Sequence, residues 1–401
     1  MRKKMMFIIA SSLAFSLGAN AQGSNIGMGG GDGDVESLAE RVAKLEKKND
    51  AFNLYFNYAA SFQAEHNGLT DDRTSRFGNK QLRIEIKGNL TDRLYYRFRH
   101  RLNRATDAKS DNFAKATDIM MVGYRLTDKW NVQGGKMCLI WGGFEFDENP
   151  IRIYQYSDFV DNMDSFMAGA IVSYKPTPSH EIAVEVSNAN NGKLVDDYGE
   201  GAKSYEGNGN YRVLEQANHP LTCVVSWNGS LFDNKLQTRW SWGIQTLAKK
   251  KYSRMLILGQ QLNLPNLQWY LDYMGAYEGL DRLRIATSEL GATKLKDNSY
   301  FSDVIYHSFI TKANWQFAPQ WNLMLKAMYE TVSVSKVEEL KNYRKSYGYM
   351  ASVEYYPVKH QDFRVSLAYV GRKFDYSSKC GLRGFNTDRI ELGFMYRIKM
   401  Y

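Results

Sequence analysis

Three groups of charged side chains in this 401-residue sequence have the types and spacing to act on ions. Arg83 and Lys87, followed by Arg97, Arg99 and Arg101, recur at even spacings. On an extended chain even spacing places them on one face, where they would form a ladder of fixed positive charge that attracts anions. Residues 140–164 hold Glu145, Asp147, Glu148, Asp158, Asp161 and Asp164 against a single base, Arg152. Facing arginines, such a run would set a field across a narrow space; as a calcium site it lacks the EF-hand spacing. Lys249, Lys250, Lys251 and Arg254 form the third group, a candidate anion funnel acting by long-range attraction, or else a solvated or lipopolysaccharide-facing basic rim.

Covalent chemistry has less support. The six histidines are scattered, and there is no G-x-S-x-G, no H-E-x-x-H and no Gly-rich phosphate loop. A triad assembled from separate strands is the one enzyme arrangement left open. The expectation is therefore a protein that is not an enzyme, with no cofactor and no bound metal. Cys138, Cys223 and Cys380 are odd in number and without zinc spacing. They are expected to be packing residues, with one adventitious disulfide as the alternative. The methionines follow no usable spacing and receive no role.

The elements that position these charges are strands. The chain is 14% aromatic and 24% charged, with a mean hydropathy of −0.48. Beyond the N-terminus no stretch approaches the roughly 18 apolar residues that a membrane-spanning helix needs. From Phe52 onward the period is two: Phe52, Leu54, Phe56, Tyr58, Ala60 and Phe62 alternate with Asn53, Tyr55, Asn57, Ala59, Ser61 and Gln63. Leu82, Ile84 and Ile86 alternate likewise with Arg83, Glu85 and Lys87, and Leu94, Tyr96 and Phe98 with Arg97, Arg99 and Arg101. Met324, Lys326 and Met328 make one later face mixed, and alternation weakens near residues 131–139 and 253–262. Short turns such as Thr127 to Lys129 and Pro265-Asn266 alternate with mostly longer polar segments near residues 65–79, 104–116, 140–164, 190–219, 248–253, 279–301, 335–345 and 374–386. Seven turns and eight loops join about sixteen strands. No blade-length repeat supports a propeller. The pattern predicts an all-β fold, a transmembrane antiparallel β-barrel of about 16 strands in contact with outer-membrane lipid, because every backbone group in lipid must be paired within the sheet.

The first 50 residues read differently. Arg2, Lys3 and Lys4, the apolar run from Met5 to Leu17 and Ala19-Asn20-Ala21 have the layout of a cleaved signal peptide over residues 1–21. Its removal takes the formal net charge from +9 to +6, too little to argue for a nucleic-acid partner. Residues 22–34 are a Gly-rich linker. Val35, Leu38, Val42 and Leu45 then give an a/d seam, so that residues 35–50 are expected to form a short periplasmic coiled-coil-like helix ahead of a barrel over 51–401. At the other end Glu391, Gly393, Tyr396 and Ile398 resemble the last-strand signal read by barrel assembly machinery, although the final Tyr401 falls on the opposite face from Tyr396.

The segment Gly134-Gly-Lys-Met-Cys-Leu-Ile-Trp-Gly-Gly-Phe-Glu-Phe-Asp-Glu-Asn-Pro150, with Ile153-Tyr-Gln-Tyr-Ser-Asp158, Phe166-Met-Ala-Gly-Ala170 and Glu181 to Gly192, resembles the phosphate-selective porin O and P family of Gram-negative outer membranes. The resemblance implies a sixteen-stranded barrel, usually a homotrimer, with anion uptake as the family activity. It also implies that the third long loop, about 140–164, folds inward to narrow the pore, and that Arg83, Lys87, Arg97, Arg99 and Arg101 carry the anion-selective role. The acidic loop departs from strict phosphate selectivity. It turns the expectation toward passive diffusion of small hydrophilic solutes and inorganic anions such as phosphate with weak anion preference. The alternative is a surface binding or adhesion barrel using the loops at 190–219 and 279–301, and a third class is an accessory barrel within a larger uptake complex.

Overall fold

A computed structural model describes residues 51–106, 113–358 and 361–400. The expected signal peptide, linker, coiled-coil-like helix and Tyr401 lie outside the described residues. Sixteen strands pair antiparallel with their sequence neighbours, and β1 (Asn53–Asn67) closes the ring against β19 (Phe385–Lys399). The first half comprises β2 (Asp72–Asn89), β3 (Leu94–Arg101), β4 (Thr117–Arg125), β5 (Trp130–Cys138), β6 (Phe166–Thr177), β7 (His180–Asn188), β10 (Leu221–Leu231) and β11 (Leu236–Ala248). The second comprises β12 (Lys251–Leu264), β13 (Leu267–Glu278), β15 (Val304–Ala318), β16 (Trp321–Val334), β17 (Arg344–Tyr355) and β18 (Asp362–Tyr376). The remaining strands, β8 (Lys203–Gly207), β9 (Asn210–Val213) and β14 (Ser299–Phe301), form a separate sheet outside the barrel.

Side-chain alternation sorts the faces as the sequence predicts. Asn53, Tyr55, Asn57, Arg83, Glu85 and Lys87 point inward and are buried, whereas Val225, Trp240, Trp242, Phe309 and Leu367 point outward. Outward apolar residues cost nothing where the surroundings are lipid, and the continuous antiparallel ladder leaves no barrel edge between β1 and β19.

Two predicted loops are strand. Residues 65–79 extend the β1–β2 hairpin, which turns only at residues 68–71, and residues 248–253 contain a two-residue turn at Lys249 and Lys250. In the hairpin both faces become polar, so the period-two signal fades while backbone pairing continues. The loop expected over 374–386 shortens to residues 377–384 for the same reason. The two longest loops instead gain structure. The loop after β7 carries a short helix α3 (Leu194–Tyr198) with β8 and β9, and the loop after β13 carries α4 (Ile285–Lys294) with β14. They join through the parallel pairing of β14 with β8.

The cysteines are free. Cys380 is buried and Cys138 packs against the core, but Cys223 stands on the outward face of β10, because alternation places it opposite the buried Thr222. That position corrects the expectation that all three pack inside.

Candidate functional site

The third loop, between Cys138 of β5 and Phe166 of β6, folds into the barrel and carries two short helices, α1 (Phe144–Asp147) and α2 (Asp158–Asn162). Gly142 and Gly143 turn the chain with φ of 71° and 75°, values that side-chain-bearing residues rarely adopt. A Cβ on Gly143 would meet Met274 Cε at 3.2 Å and Asp272 Oδ2 at 3.3 Å, so this turn sits directly on the wall. Beyond it the Phe144 and Glu145 amides donate to Asp272 Oδ2 at 2.8 and 2.7 Å. The Ile140 amide donates to Glu185, and the Asp158 amide to Glu330, each at 2.8 Å. Carboxylates from β7, β13 and β16 thus satisfy loop amides that would otherwise be buried without partners.

Apolar packing completes the attachment. Phe144, Phe146, Phe159, Val160 and Met163 of the loop share one buried cluster with Met255, Ile257, Met274, Ile310, Met324 and Met328 on the inner wall. These residues explain the mixed face at 324–328 and the weak alternation near 253–262, where inward positions are apolar because they carry a loop. Methionine therefore has a role that the sequence reading did not assign. Its flexible thioether fills the irregular gap between loop and sheet.

The loop acids find their counter-ions on the far wall. Lys326 pairs with Glu145 and Lys312 with Glu148, both pairs buried. Arg239 reaches Asp147 at 2.6 Å, Arg344 reaches Asp158 at 2.6 Å, and Arg372 bonds both Asp158 and Glu330. Asp164 lies 3.7 Å from Arg282, and Asp161 remains exposed. Arg152, the loop's own base, pairs with Asp362 at 2.8 Å. The sequence reading set these acids against the arginines of β2 and β3. The fold instead joins them to β11, β15, β16, β17 and β18, and the bases of those strands were overlooked. Their inward register was the available signal.

The predicted basic residues gather on the other side. Arg83, Arg99 and Arg101 converge on Asp118 of β4 at 3.5, 3.3 and 2.8 Å, and Arg97 pairs with Glu85 at 2.7 Å. Lys87 and Arg397 lie over the Tyr55 ring, at 5.5 and 4.2 Å from its centre. Lys80 bonds Glu391 at 2.7 Å, and Arg389 lies 3.4 Å from the same carboxylate. Asp118, Lys80, Arg389 and Arg397 were not singled out from the sequence. Asp118 enters the inner face through a bulge where the β3–β4 register shifts, which simple alternation does not reveal.

The third predicted group disperses. Lys249 pairs with Glu215 at 2.8 Å on the surface, Lys250 occupies the turn with φ of 64°, and Arg254 stands on the outward face of β12. Lys251 is buried and reaches Glu206 at 2.6 Å, a carboxylate that Lys336 also bonds at 3.0 Å. This arrangement ties the loops together outside the barrel. Burial alone would raise the Glu206 carboxyl, but hydrogen bonds from Lys251, Ser204 and Lys336 hold it down at about 2, against an ordinary value of 4.5. A depressed carboxylate contributes stability above its unfolded value and loses it as pH falls through the folded one. The β8–β9 loop is thus expected to keep its resistance to pepsin from pH 4.5 to about 3 and to lose it near 2. In Glu206→Gln, cleavage should already be rapid at pH 4; equal cleavage rates in both proteins would remove the ion cluster as the clasp.

Among the described residues no group of His, Cys, Asp and Glu is arranged to hold a metal ion. No described helix is long and apolar enough to cross a membrane.

Solved outer-membrane proteins share this architecture at low sequence identity. The outer membrane channel DcaP of Acinetobacter baumannii matches with a TM-score of 0.60 and 10% identity, over 89% of this chain and 100% of that one. OprB of Pseudomonas putida matches with a TM-score of 0.54 and 12% identity over 87% and 94%. The anion-selective porin from Comamonas acidovorans matches with 0.52 and 11% over 87% and 99%. At these identities the likeness concerns the fold. No curated protein sequence matches the chain. Residues 52–398, nearly the whole barrel, match the phosphate-selective porin O and P family, and the chain belongs to that family of outer-membrane porins.

Proposed function

We propose that the protein is a passive outer-membrane pore for small hydrophilic solutes with a preference for inorganic anions such as phosphate, acting as a homotrimer and performing no chemistry. One observation carries the anion preference. All of the loop acids but Asp161 have a basic partner away from this wall, while the wall formed by β19, β1, β2 and β3 presents Lys80, Arg83, Lys87, Arg97, Arg99, Arg101, Arg389 and Arg397 against its own Glu65, Glu85 and Glu391 and Asp118 of the adjoining β4. The path left beside the loop would run along this positively charged side, where fixed guanidinium groups lower the energy of a passing anion. Lys249 to Lys251 have no part in this reading, since two of them are clasped to carboxylates, and Arg254 faces outward.

Planar bilayers under a salt gradient test it. A silent membrane overturns the pore, and a cation-favouring reversal potential overturns the preference. Asp118→Asn removes the one carboxylate shared by Arg83, Arg99 and Arg101. One unit of charge about 6 Å from the ion path, at a dielectric constant near 80 and a Debye length of about 10 Å, is worth ~0.4 kcal/mol of opposite sign for an anion and a cation, or ~0.8 kcal/mol between the two. The anion-to-cation permeability ratio should therefore rise about threefold; an unchanged ratio would place Asp118 away from the path.

A second reading, a surface-binding barrel, is favoured by the outer β14–β8–β9 sheet, since two long loops are built into one folded unit rather than left as tethers. Normal solute diffusion after both loops are shortened, together with loss of adhesion to a host-cell layer, would favour it.

A further inference from the structure

The third loop is not the only segment that enters the barrel. The loop after β13 turns in at Asp281, whose carboxylate accepts from the Arg284 and Thr287 amides at 3.0 and 2.8 Å and from the Tyr306 hydroxyl of β15, so the start of α4 is fastened to the inner wall. Ala286 and Leu290 of α4 are fully buried and share an apolar cluster with Val332 and Val334 of β16 and with Phe159 and Val160 of the third loop. Glu289 accepts hydrogen bonds from the Tyr343 and Tyr376 hydroxyls at 2.7 and 2.9 Å. The β17–β18 register gives the level of each loop. Arg344 pairs with Tyr376 at the end that bears the long loops, and Ser346 with Phe374 comes next along the strands. Glu289 meets the first of these pairs, whereas Asp158, the first residue of α2, meets Arg344, Ser346 and Arg372. On these strands α4 therefore lies one step nearer the mouth than α2.

One side chain is shared by the two loops. Arg344 places Nη2 2.6 Å from Asp158 Oδ2 and Nε 2.8 Å from Glu289 Oε1, with its guanidinium 5.0 Å from the centre of the Phe374 ring. A guanidinium is planar and offers donors on separate edges, so it can fix two carboxylates at once, where an ammonium acts as a single point charge. Arg344 is buried, and the two carboxylates it holds belong to different loops. We propose that α4 and the third loop form one constriction of two tiers, and that Arg344 is the positioning residue that couples them. The upper tier is continuous with the outer sheet, since Arg284 bonds the Asp197 carbonyl of α3 and Tyr300 of β14 donates its hydroxyl to the Tyr198 carbonyl at 3.0 Å. Contacts thus run unbroken from the β14–β8–β9 sheet to the third loop. The inference rests on the pore of the proposed function and deepens it: solute size is limited at two levels, and loosening either loop loosens the other.

Hydrogen exchange on the full chain in lipid nanodiscs tests the coupling without reference to conductance. Glu289→Gln keeps an acceptor for Tyr343 and Tyr376 but removes the charge opposite Arg344. Third-loop amides such as those of Ser157 and Val160 should then exchange about fivefold faster, and Asp158→Asn should speed the α4 amides in return. In Arg344→Met the same two substitutions should add nothing to exchange in the opposite loop, because the shared partner is gone. Faster exchange confined to the substituted loop, or equal effects with and without Arg344, would overturn the coupling. Leu290→Asp tests the upper tier by placing a charge where α4 meets the wall. The largest neutral polyethylene glycol that enters the channel should increase, while heat-modifiable migration on gels shows that the barrel still folds. An unchanged exclusion limit would overturn the upper tier and leave a pore narrowed by one loop. A silent membrane from the unsubstituted protein would overturn the pore and with it the size limit, whereas exchange still decides whether Arg344 joins the two loops.

Discussion

Arg99→Glu is expected to lower the anion-to-cation permeability ratio about tenfold. Arg99 is an inward residue of β3, its Nε 3.3 Å from Asp118 and its guanidinium 5.1 Å from the centre of the Phe166 ring. The substitution changes the local charge by two units, each worth ~0.4 kcal/mol of opposite sign for anion and cation at about 6 Å in screened, water-like surroundings, or ~1.5 kcal/mol between the two ions. Folding should survive, because β3 is held by backbone pairing to β2 and β4, and Arg83 and Arg101 remain beside Asp118 and the new carboxylate. Reversal potentials under a salt gradient give the ratio. Arg254→Glu makes the same change in net charge on the outward face of β12 and should leave the ratio unaltered. If both variants shifted it equally, the effect would belong to the overall charge of the molecule and not to the inner wall.

The second large effect concerns the inward loop. In Lys326→Met a side chain of similar size replaces the ammonium that neutralises Glu145, and the hydrogen bond from Lys326 to the Gln155 carbonyl at 2.9 Å is lost. Leaving one member of a buried ion pair uncompensated costs about 3–5 kcal/mol. The barrel wall is fixed by its ladder on both sides of β16, so the loop is the part that yields. Single-channel conductance should rise at least twofold, and loop amides such as that of Ser157, which donates to Glu145 at 2.9 Å, should exchange with solvent faster. Adding Glu145→Gln removes the orphaned charge and should restore much of the original conductance, since an ion pair replaced on both sides is nearly neutral. Unchanged conductance in the single variant would mean that Asp272, Glu185 and the methionine-lined wall hold the loop without this pair.

Much of the architecture was legible because a strand records its surroundings every second residue. Arg83, Lys87, Arg97 and Arg99 were read as one inward face, and the short turns near residues 127–129 and 265–266 marked where the chain reverses. Legibility ended where both faces share one character. The upper β1–β2 hairpin is polar on both sides and was read as loop, and the inward Met324 and Met328 blurred a strand whose lumen side is partly apolar. Helix α4 and the β14–β8–β9 sheet were not anticipated, because elements this short depend on the contacts they make more than on local pattern.

Composition and period by themselves determined a barrel with lipid outside and charge inside, since only a closed sheet satisfies every backbone group in a bilayer. The partner of each charge was decided by tertiary structure alone. The loop at 140–164 and the bases of β11, β15, β16, β17 and β18 are brought together by the closure of the barrel and the turn at Gly142 and Gly143. Coulomb energy depends on separation in space, and separation along the chain carries almost no information about it. The same closure gathers the basic residues of β2 and β3 around Asp118 and Glu85, on a wall separate from the one whose bases meet the loop acids.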